Sequence, residues 1–249
     1  MPVREWDGAS YDRISATMEA LGLGVLQRLE LRGDETVLDA GCGSGRITQA
    51  LIGRLPHGRV IAIDESPSMI DAARERLGPD ADLRVGDLRD LDLGEPVDAI
   101  LSTATFHWIA DHDRLFARLH RALAPGGRLV AQCGGETNID ILRGKANEVL
   151  AQEPYAEQFL DWSPPWNYAG PDLTRERLLG VGFSTAKCWL ERAPREPEDP
   201  RAFLSTIVLG PHVQQLPEAL RESFMDDVLA KLGEPVVVDY VRLNIDAVA

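Results

Sequence analysis

A glycine-rich turn between a predicted strand and a predicted helix constrains this chain more than any other feature. Residues 36–38 are β-branched or apolar, as in the last part of a buried strand, and Ile47, Leu51 and Leu55 follow the turn at helical spacing. The turn, residues 39–45, has the sequence DAGCGSG. Strand, glycine turn and helix in this order form a nucleotide-binding βα unit. The glycines permit a close approach of a ligand, and we expect the amide groups at the helix start to face it.

Two residues, Asp39 in the turn and Arg46 just after it, indicate which kind of nucleotide ligand the turn could bind. A dinucleotide-binding loop has the pattern Gly-x-Gly-x-x-Gly because a pyrophosphate sits on the helix N-terminus, but here Arg46 takes the place of the last glycine. Asp39 stands just before the first glycine, where a carboxylate would repel a pyrophosphate and suit a ligand that carries an ammonium group. These residues disfavour a nicotinamide-dependent oxidoreductase. The pattern Asp-x-Gly-x-Gly-x-Gly resembles motif I of the class I S-adenosylmethionine (SAM) methyltransferases, whose cofactor has an amino-acid end and no phosphate.

Acidic residues also follow the next two predicted strands. Asp64 ends the strand of residues 59–64, where an acid can accept hydrogen bonds from ribose hydroxyls; a nicotinamide cofactor and SAM would both use it. Asp87 follows residues 83–85 and matches the methyltransferase position where a carboxylate accepts from the adenine amino group. Ligands of an open α/β sheet bind outside the carboxyl ends of its strands. The resemblance therefore implies a cofactor site made of Tyr11, Asp39, Gly41, Cys42, Gly43, Gly45, Asp64, Glu65, Met69, Gly86, Asp87, Leu88 and Thr103.

The alternation of strands and helices predicts an α/β fold, and the resemblance specifies it further. It implies a Rossmann-like, doubly wound, seven-stranded sheet, mostly parallel with the last strand antiparallel, and a partly helical cap. We expect one methyltransferase domain over residues 1–249, although the length alone would also permit two domains. Residues 1–35 would cover the cofactor, and residues 137–235 would form the substrate cap and helical elements around the last strands. Alternation in residues 236–245 predicts the closing strand, and Pro125-Gly126-Gly127 is expected to end a helix before strand five.

Composition excludes several classes of function. A net charge of −14 and a pI near 4.8 argue against nucleic acid or an anionic membrane as the main partner. The three cysteines are widely spaced, so we expect neither a disulfide framework nor a metal site. With no apolar run of membrane-spanning length and no signal-peptide core, the chain is expected to be a cytoplasmic monomer or homodimer that acts on a small molecule.

The first residues add an aromatic prefix. Trp6 and Tyr11 precede a predicted helix over residues 15–29. In SAM methyltransferases such a prefix often folds over the cofactor, and the face of Tyr11 near a sulfonium would gain cation–π attraction of about 0.5–2 kcal/mol. Alternatively, both rings only pin the first helix to the core.

His107 is the candidate catalytic residue. It lies just past the predicted fourth strand, and its imidazole could act as a base or donate to a substrate oxygen. A carboxylate acceptor needs no base at pH 7, whereas a hydroxyl or carbon acceptor does. The alternative is a histidine packed against Trp108 and hydrogen-bonded to the backbone. The remaining histidines, at positions 57, 112, 120 and 212, are expected to be solvated.

An aromatic and proline-rich stretch, residues 162–168, is expected to form a shaped loop. Its rings could wall an apolar pocket or form a satellite core. Arg201, Arg221 and Arg242 are candidates for gripping a substrate carboxylate. The predicted substrate residues are Trp6, Trp108, Trp162, Trp166, Tyr168 and Arg242.

Taken together, the prefix, the glycine turn, residues 63–69, Asp87-Leu88, residues 103–108 and the Pro-Gly-Gly turn resemble the trans-aconitate methyltransferases and related small-molecule carboxyl methyltransferases. That group often has amide side chains at the positions of Thr103 and His107. In having a histidine just before Trp108, the chain also resembles the insect juvenile-hormone acid methyltransferases. The resemblance implies methyl ester formation on a small acid. Two alternatives stay open: methylation of a carbon or hydroxyl of an apolar metabolite with His107 as base, and a non-catalytic SAM-binding protein. The net charge lowers the case for an RNA methyltransferase.

Overall fold

A seven-stranded sheet forms the centre of the molecule in the computed structural model, which describes residues 16–249 and the side chains from residue 19 onward. The predicted roles of Trp6 and Tyr11 lie outside the described residues. The strands are β1 (Thr36–Ala40), β2 (Arg59–Asp64), β3 (Asp82–Val85), β4 (Val97–Thr103), β5 (Leu123–Gly134), β6 (Thr185–Arg192) and β7 (Val241–Val248). Their order across the sheet is β3-β2-β1-β4-β5-β7-β6. β1 to β5 pair in parallel, and β7 is antiparallel to both of its neighbours, which confirms the predicted fold class.

Helices pack on both faces of the sheet and form a cap beyond one of its edges. They are α1 (Ala16–Arg28), α2 (Arg46–Ile52), α3 (Pro67–Leu77), α4 (His112–Ala122), α5 (Asp140–Leu150), α6 (Pro171–Gly180), α7 (Pro200–Phe203), α8 (Gly210–Gln215) and α9 (Glu218–Leu232). A π-helical turn, Leu204–Val208, connects α7 to α8. In the described part of the chain, no helix has both the length and the apolar character needed to cross a membrane.

Adjacent residues of β1 enter two different cores. Val37 packs with the apolar side chains of α1 and α2, whereas Leu38 packs with Phe116 and Leu119 of α4, and all of these side chains are fully buried. A strand covered on both faces is expected to be continuously apolar rather than alternating. Each such side chain contributes about 1.5–3 kcal/mol on burial, so the first strand fixes both layers of helices.

A third apolar cluster forms the cap. It joins α5, α7, the π-helical turn and α9 through side chains such as Leu142, Phe203, Leu204 and Phe224. The Tyr155 hydroxyl, between α5 and α6, donates to a carboxylate of α9 at 2.6 Å. The cap therefore has a core of its own, separate from the two cores on the sheet.

Two strand boundaries differ from the sequence predictions. Leu123 pairs with Val97, so β5 already begins there and the Pro-Gly-Gly turn lies inside the strand at a register shift instead of preceding it. β7 begins at Val241 rather than at residue 236. Before it, Val238 forms an isolated antiparallel bridge with Arg195, and the Asp239 carboxylate accepts the amide groups of Ile141 and Leu142 at the start of α5.

Two histidines that were expected to be solvated are buried. His112 Nε2 lies 2.9 Å from the carbonyl oxygen of Phe106. His212 packs among Trp162, Trp166 and other rings of the cap, and the centroids of the His212 and Trp162 rings lie 4.6 Å apart. Both predictions of solvated side chains were wrong, because burial here depends on contacts made by distant parts of the chain.

Candidate functional site

The glycine turn joins β1 to α2 and holds three left-handed residues. Gly41, Gly43 and Gly45 have φ angles of 83°, 54° and 80°, a region that favours glycine. A Cβ atom at Gly41 would collide with the Thr105 side chain, whereas at Gly43 the described residues leave the space within 4 Å open. Gly41 is therefore required by packing, and Gly43 leaves room for a ligand beside the turn.

The expectation that the amide groups at the helix start face a ligand stays a prediction, but the amide groups of residues 41–43 in the turn are already used within the protein. The N–H groups of Gly41 and Cys42 both donate to the carbonyl oxygen of Ile63, at 2.8 and 3.0 Å. The Gly43 N–H donates to Asp64 Oδ2 at 2.9 Å. These bonds tie the turn to the end of β2, since backbone donors in a buried turn need acceptors.

Asp39 lies beneath the turn with one oxygen unpaired. Its Oδ2 accepts a hydrogen bond from the Thr48 hydroxyl at 2.7 Å, and among the described residues Oδ1 has no donor. Burial without a counter-ion raises the pKa of Asp39 to about 7. A buried, half-satisfied carboxylate is suited to a ligand that brings an ammonium group.

The other two acids follow the carboxyl ends of β2 and β3, as predicted. Asp64 Oδ1 accepts the Ser66 N–H at 2.9 Å, and burial raises the pKa of Asp64. Asp87 binds the guanidinium of Arg89, which lowers the pKa of Asp87, and the same arginine reaches Glu65 at 4.0 Å. Asp39, Asp64 and Asp87 thus lie along one edge of the sheet.

The remaining predicted cofactor residues occupy two kinds of position. Met69 and Leu88 are buried, and the Gly86 N–H donates to the carbonyl oxygen of Asp64 at 2.9 Å, so these three support the acidic edge from behind. Thr103, in contrast, lines a cleft together with Gly41, Cys42 and Gly43.

This cofactor cleft has a volume of about 570 Å³ and includes residues that the sequence analysis did not assign to it. Arg46, at the start of α2, forms an ion pair with Glu19 of α1 at 2.8 Å, and both line the cleft. Gln132 of β5 and Arg242 of β7 complete its far side. The first helix therefore contributes a wall of the cleft, and the cofactor-covering role of residues 1–35 stays a prediction.

A second cavity of about 440 Å³ adjoins the cofactor cleft. Ala104 and Arg242 line both of them, so the two spaces meet at these residues. Ala104 has a φ angle of 56° and donates its N–H to the carbonyl oxygen of Gln132 at 2.7 Å. A left-handed alanine is strained, and here it marks the junction between the cavities.

Aromatic rings form one wall of this second cavity. The rings of Trp166 and Tyr168 are stacked at 5.8 Å with an interplanar angle of 8°, and Tyr168 is stacked on His107 at 5.7 Å. Trp108 adjoins His107 at 5.0 Å. Trp162 lies outside the lining and packs in the cap instead. The loop thus divides between the two alternatives, a pocket wall and a satellite core.

His107 is held in a defined orientation. Its Nδ1 accepts a hydrogen bond from the Gly134 N–H at 3.2 Å, and its backbone oxygen accepts one from the Asn167 N–H at 2.8 Å. A neutral imidazole whose Nδ1 is an acceptor carries its proton on Nε2. Gly134 is also the residue paired with Arg242 across β5 and β7, so the same backbone position connects the two candidate side chains, His107 and Arg242.

Arg242 differs from the other two candidate arginines. Its side chain is buried with 2% exposure, and no acid of the described residues lies within 4.0 Å of it. Its Nε has no acceptor among these residues, and its guanidinium lies 5.5 Å from the Tyr240 ring. Arg201 instead pairs with Glu222 and Asp226 at the surface, and Arg221 donates to a backbone carbonyl.

Some residues of the two cavities escaped the sequence analysis. Gln132 is a polar residue within an apolar strand, which is a signal that could have been used. Asn138 accepts the Val241 N–H through its side chain and lines the second cavity, but asparagine after a strand is common. Nothing in the sequence around Ala104 predicts its left-handed backbone.

Comparison with known proteins agrees with this geometry. A family model described as a methyltransferase domain matches residues 37–127, which include the glycine turn and the three acids. Together with the relatives described in the next paragraph, this match shows that the chain belongs to the class I SAM-dependent methyltransferases, and SAM is its cofactor. The unpaired oxygen of Asp39 and the open space beside Gly43 fit a cofactor with an ammonium-bearing end.

Within that class, the chain is similar to trans-aconitate 2-methyltransferases. It is 36% identical over 243 residues to the enzyme of Acidovorax sp. (strain JS42), with 93% of this chain and 90% of that protein covered. It is 31% identical over 237 residues to the enzyme of Paracidovorax citrulli, with 90% and 87% covered. The fold is also that of Haemonchus contortus phosphoethanolamine N-methyltransferase 2, solved with S-adenosylhomocysteine (TM-score 0.61, 19% identity, 97% of this chain and 56% of that one).

Proposed function

We propose that this methyltransferase methylates a carboxylate of a small organic acid and forms a methyl ester. The observation that carries the proposal is Arg242, a buried cation that lines both cavities and has no acidic partner within residues 16–249. A buried charge without a counter-ion is unfavourable. An anionic acceptor would supply the missing partner, and the planar guanidinium suits a carboxylate.

The residues of the cofactor cleft would hold SAM at this junction. Asp39 and the glycine turn would bind its amino-acid end, and Asp64 and Asp87 would bind its nucleoside end, as in the family that the sequence resembles. When bound, SAM supplies a methyl group that its sulfonium has activated for displacement. What the chain itself contributes is the position of the acceptor and the exclusion of water.

A carboxylate acceptor places small demands on the protein. An ordinary carboxyl group is ionised at pH 7, so no base is needed. A neutral His107 whose Nδ1 accepts from Gly134 would carry its proton on Nε2 and would be a hydrogen-bond donor towards an acceptor oxygen. A hydrogen-bond donor at His107 supports the carboxylate acceptor over the alternative in which His107 removes a proton. Because His107 lines the second cavity, the alternative can be tested with the same assay.

The cap of residues 137–235 is proposed to bind the acceptor, since it supplies Asn138, Trp166 and Tyr168 to the second cavity. The net charge of −14 supports a small molecule rather than nucleic acid as the acceptor.

Transfer of labelled methyl groups from SAM tests the proposal. A panel of small acids is assayed beside the methyl ester of each acid, and we expect incorporation into the acids but not into the esters. His107→Ala should lower kcat less than about tenfold, whereas removal of a catalytic base would cost about 10²–10⁴-fold. Incorporation into the esters, together with the larger loss, would instead establish methylation of carbon or hydroxyl.

A further inference from the structure

The second cavity also indicates which acids fit it. Resting on the proposed carboxylate methylation, we propose that the acceptor is a monocarboxylic acid with an apolar tail, and not a polycarboxylate such as the trans-aconitate named for the similar enzymes. The argument has two parts, the character of the cavity walls and the number of positive charges that they contain.

The polar groups of the lining belong to Arg242, His107, Asn138 and the hydroxyls of Tyr168 and Tyr240, and the remaining walls are apolar or aromatic. Trp108 and Trp166 supply aromatic faces, Ile139 comes from the start of the cap, and the π-helical turn adds Ile207 and Val208. Aromatic and aliphatic walls with a few placed polar groups are typical of sites for apolar small molecules. A hydrocarbon or aryl tail would bury its surface here, at about 25 cal/mol per Å².

Within residues 19–249, Arg242 is the single lysine or arginine in the lining of the second cavity. Arg143, on α5 nearby, is already paired with Asp140 at 2.5 Å. The Asn138 side-chain oxygen accepts the Val241 N–H at 2.9 Å, so this oxygen is engaged in holding the wall.

One cation can neutralise one carboxylate. A second or third carboxylate on the same acceptor would find no further cation in the lining supplied by residues 19–249, and an unpaired buried charge costs several kcal/mol. This part of the lining therefore disfavours polycarboxylates by charge and favours acids whose remaining surface is apolar.

The origin of the apolar wall explains why α-helical periodicity alone does not predict it. A π-helical turn has a wider register than an α-helix and is frequent at functional sites. In the turn Leu204–Val208, Leu204 and Val208 are buried while Ile207 is partly exposed and lines the cavity. Ile207 is thus a side chain that can be changed without opening the core of the cap.

The test compares methyl transfer from SAM to octanoic acid, 3-phenylpropionic acid and trans-aconitic acid. We expect kcat/KM for the two monocarboxylic acids to exceed that for trans-aconitic acid by about 100-fold or more, because each extra carboxylate is unpaired. Quenching of tryptophan fluorescence by each acid gives a binding readout that does not depend on turnover, since Trp108 and Trp166 line the cavity.

Substitution of the wall tests the same point from the protein side. Ile207→Arg should lower kcat/KM for octanoic acid at least tenfold and leave that for trans-aconitic acid unchanged or raised, and Ile207→Gln should show a smaller loss for octanoic acid. Ile141→Arg is the matched control, because Ile141 is 65% exposed and lies outside the lining, and it should change neither value.

The outcomes separate the two proposals. Preference for the monocarboxylic acids, with the loss confined to Ile207 variants, would support both. Methylation of trans-aconitic acid at an equal or higher kcat/KM would overturn the apolar acceptor and leave carboxyl methylation intact. Absence of transfer to every acid, with SAM still bound, would overturn both.

Discussion

Replacement of Arg242 by methionine should make the protein more stable and nearly inactive. Arg242 is buried without an acid within 4.0 Å among the described residues, so its removal relieves an unpaired donor worth about 1–3 kcal/mol. Methionine has a similar length and no charge. The lost contact with the Tyr240 ring offsets part of the gain, by about 0.5–1 kcal/mol.

These terms leave a net stabilisation of about 1 kcal/mol. For a chain of 249 residues this corresponds to a rise in Tm of about 2–4 °C, measured for the protein without ligands. With a carboxylate acceptor, loss of the buried partner should lower kcat/KM by roughly 30- to 4,000-fold, which corresponds to about 2–5 kcal/mol. Arg242→Lys keeps the charge but not the planar guanidinium, so its kcat/KM should lie between that of the natural protein and that of Arg242→Met.

Arg28 provides the matched control because it approaches the same strand but is fully partnered. Its guanidinium bonds to Asp246 at 3.3 Å, to the Ala131 carbonyl oxygen at 2.8 Å and to the Asn244 side chain. Arg28→Met should lower Tm by about 6–12 °C, since three hydrogen bonds worth about 3 kcal/mol in total are lost. Thermal unfolding and methyl transfer are measured on both variants. A fall in Tm for Arg242→Met with activity retained would refute the reasoning that Arg242 awaits an anionic ligand.

Three further predictions concern the turn and the buried titratable groups. Gly43→Ala should weaken SAM binding about tenfold or more in calorimetry, because the new Cβ enters the cleft, whereas Gly41→Ala should lower Tm, because its Cβ collides with the Thr105 side chain. The folded chain keeps a proton on Asp39 up to about pH 7 that the unfolded chain releases near pH 4, so the contribution of Asp39 to the stability of the ligand-free protein should fall as pH rises through this window, and the difference in Tm between the natural protein and Asp39→Asn should change with pH accordingly. Burial lowers the pKa of His212 from 6.5 to about 4. The contribution of His212 to stability should therefore fall as pH decreases below 6.5, by about 2 kcal/mol at pH 5 relative to pH 7, which opposes the effect of Asp39. His212→Phe should remove this contribution, so its Tm should rise relative to that of the natural protein as pH decreases.

Each of these has a contrary result. Equal SAM affinity in Gly43→Ala and the natural protein would remove Gly43 from the cofactor cleft. An unchanged slope of Tm with pH in Asp39→Asn would mean that another group titrates in that window. A His212→Phe variant that unfolds in acid as readily as the natural protein would show that His212 is not the residue that destabilises it.

The cofactor side of the site could be predicted because it depends on chain order. Parallel strands linked by helices bring their carboxyl ends to one edge, so Asp39, Asp64 and Asp87 fall together before any packing is known. The two-sided burial of β1 was likewise visible as a continuous apolar run. The sequence did not predict that amide groups of the turn donate hydrogen bonds to Ile63 and Asp64, since these bonds depend on exact distances.

The acceptor side depends on contacts between distant segments. Arg242 reaches the cofactor cleft because β7 pairs with β5 and sets it opposite Gly134, and no local pattern distinguishes it from Arg201. The burial of His212 arises from Trp162 and Trp166, which lie more than forty residues earlier in the chain. Helical periodicity also gave no sign of the π-helical turn that carries Ile207 into the cavity.

The junction at Ala104 and Arg242 has a thermodynamic consequence. Because the same guanidinium faces both cavities, the charge that one bound molecule brings to it is felt by the other, and their binding free energies are coupled. Such coupling is reciprocal: whatever factor the acceptor imposes on the affinity for SAM, SAM must impose on the affinity for the acceptor. A substitution that changes the charge at Arg242 should therefore alter the affinity for both substrates, with no moving part other than the two ligands.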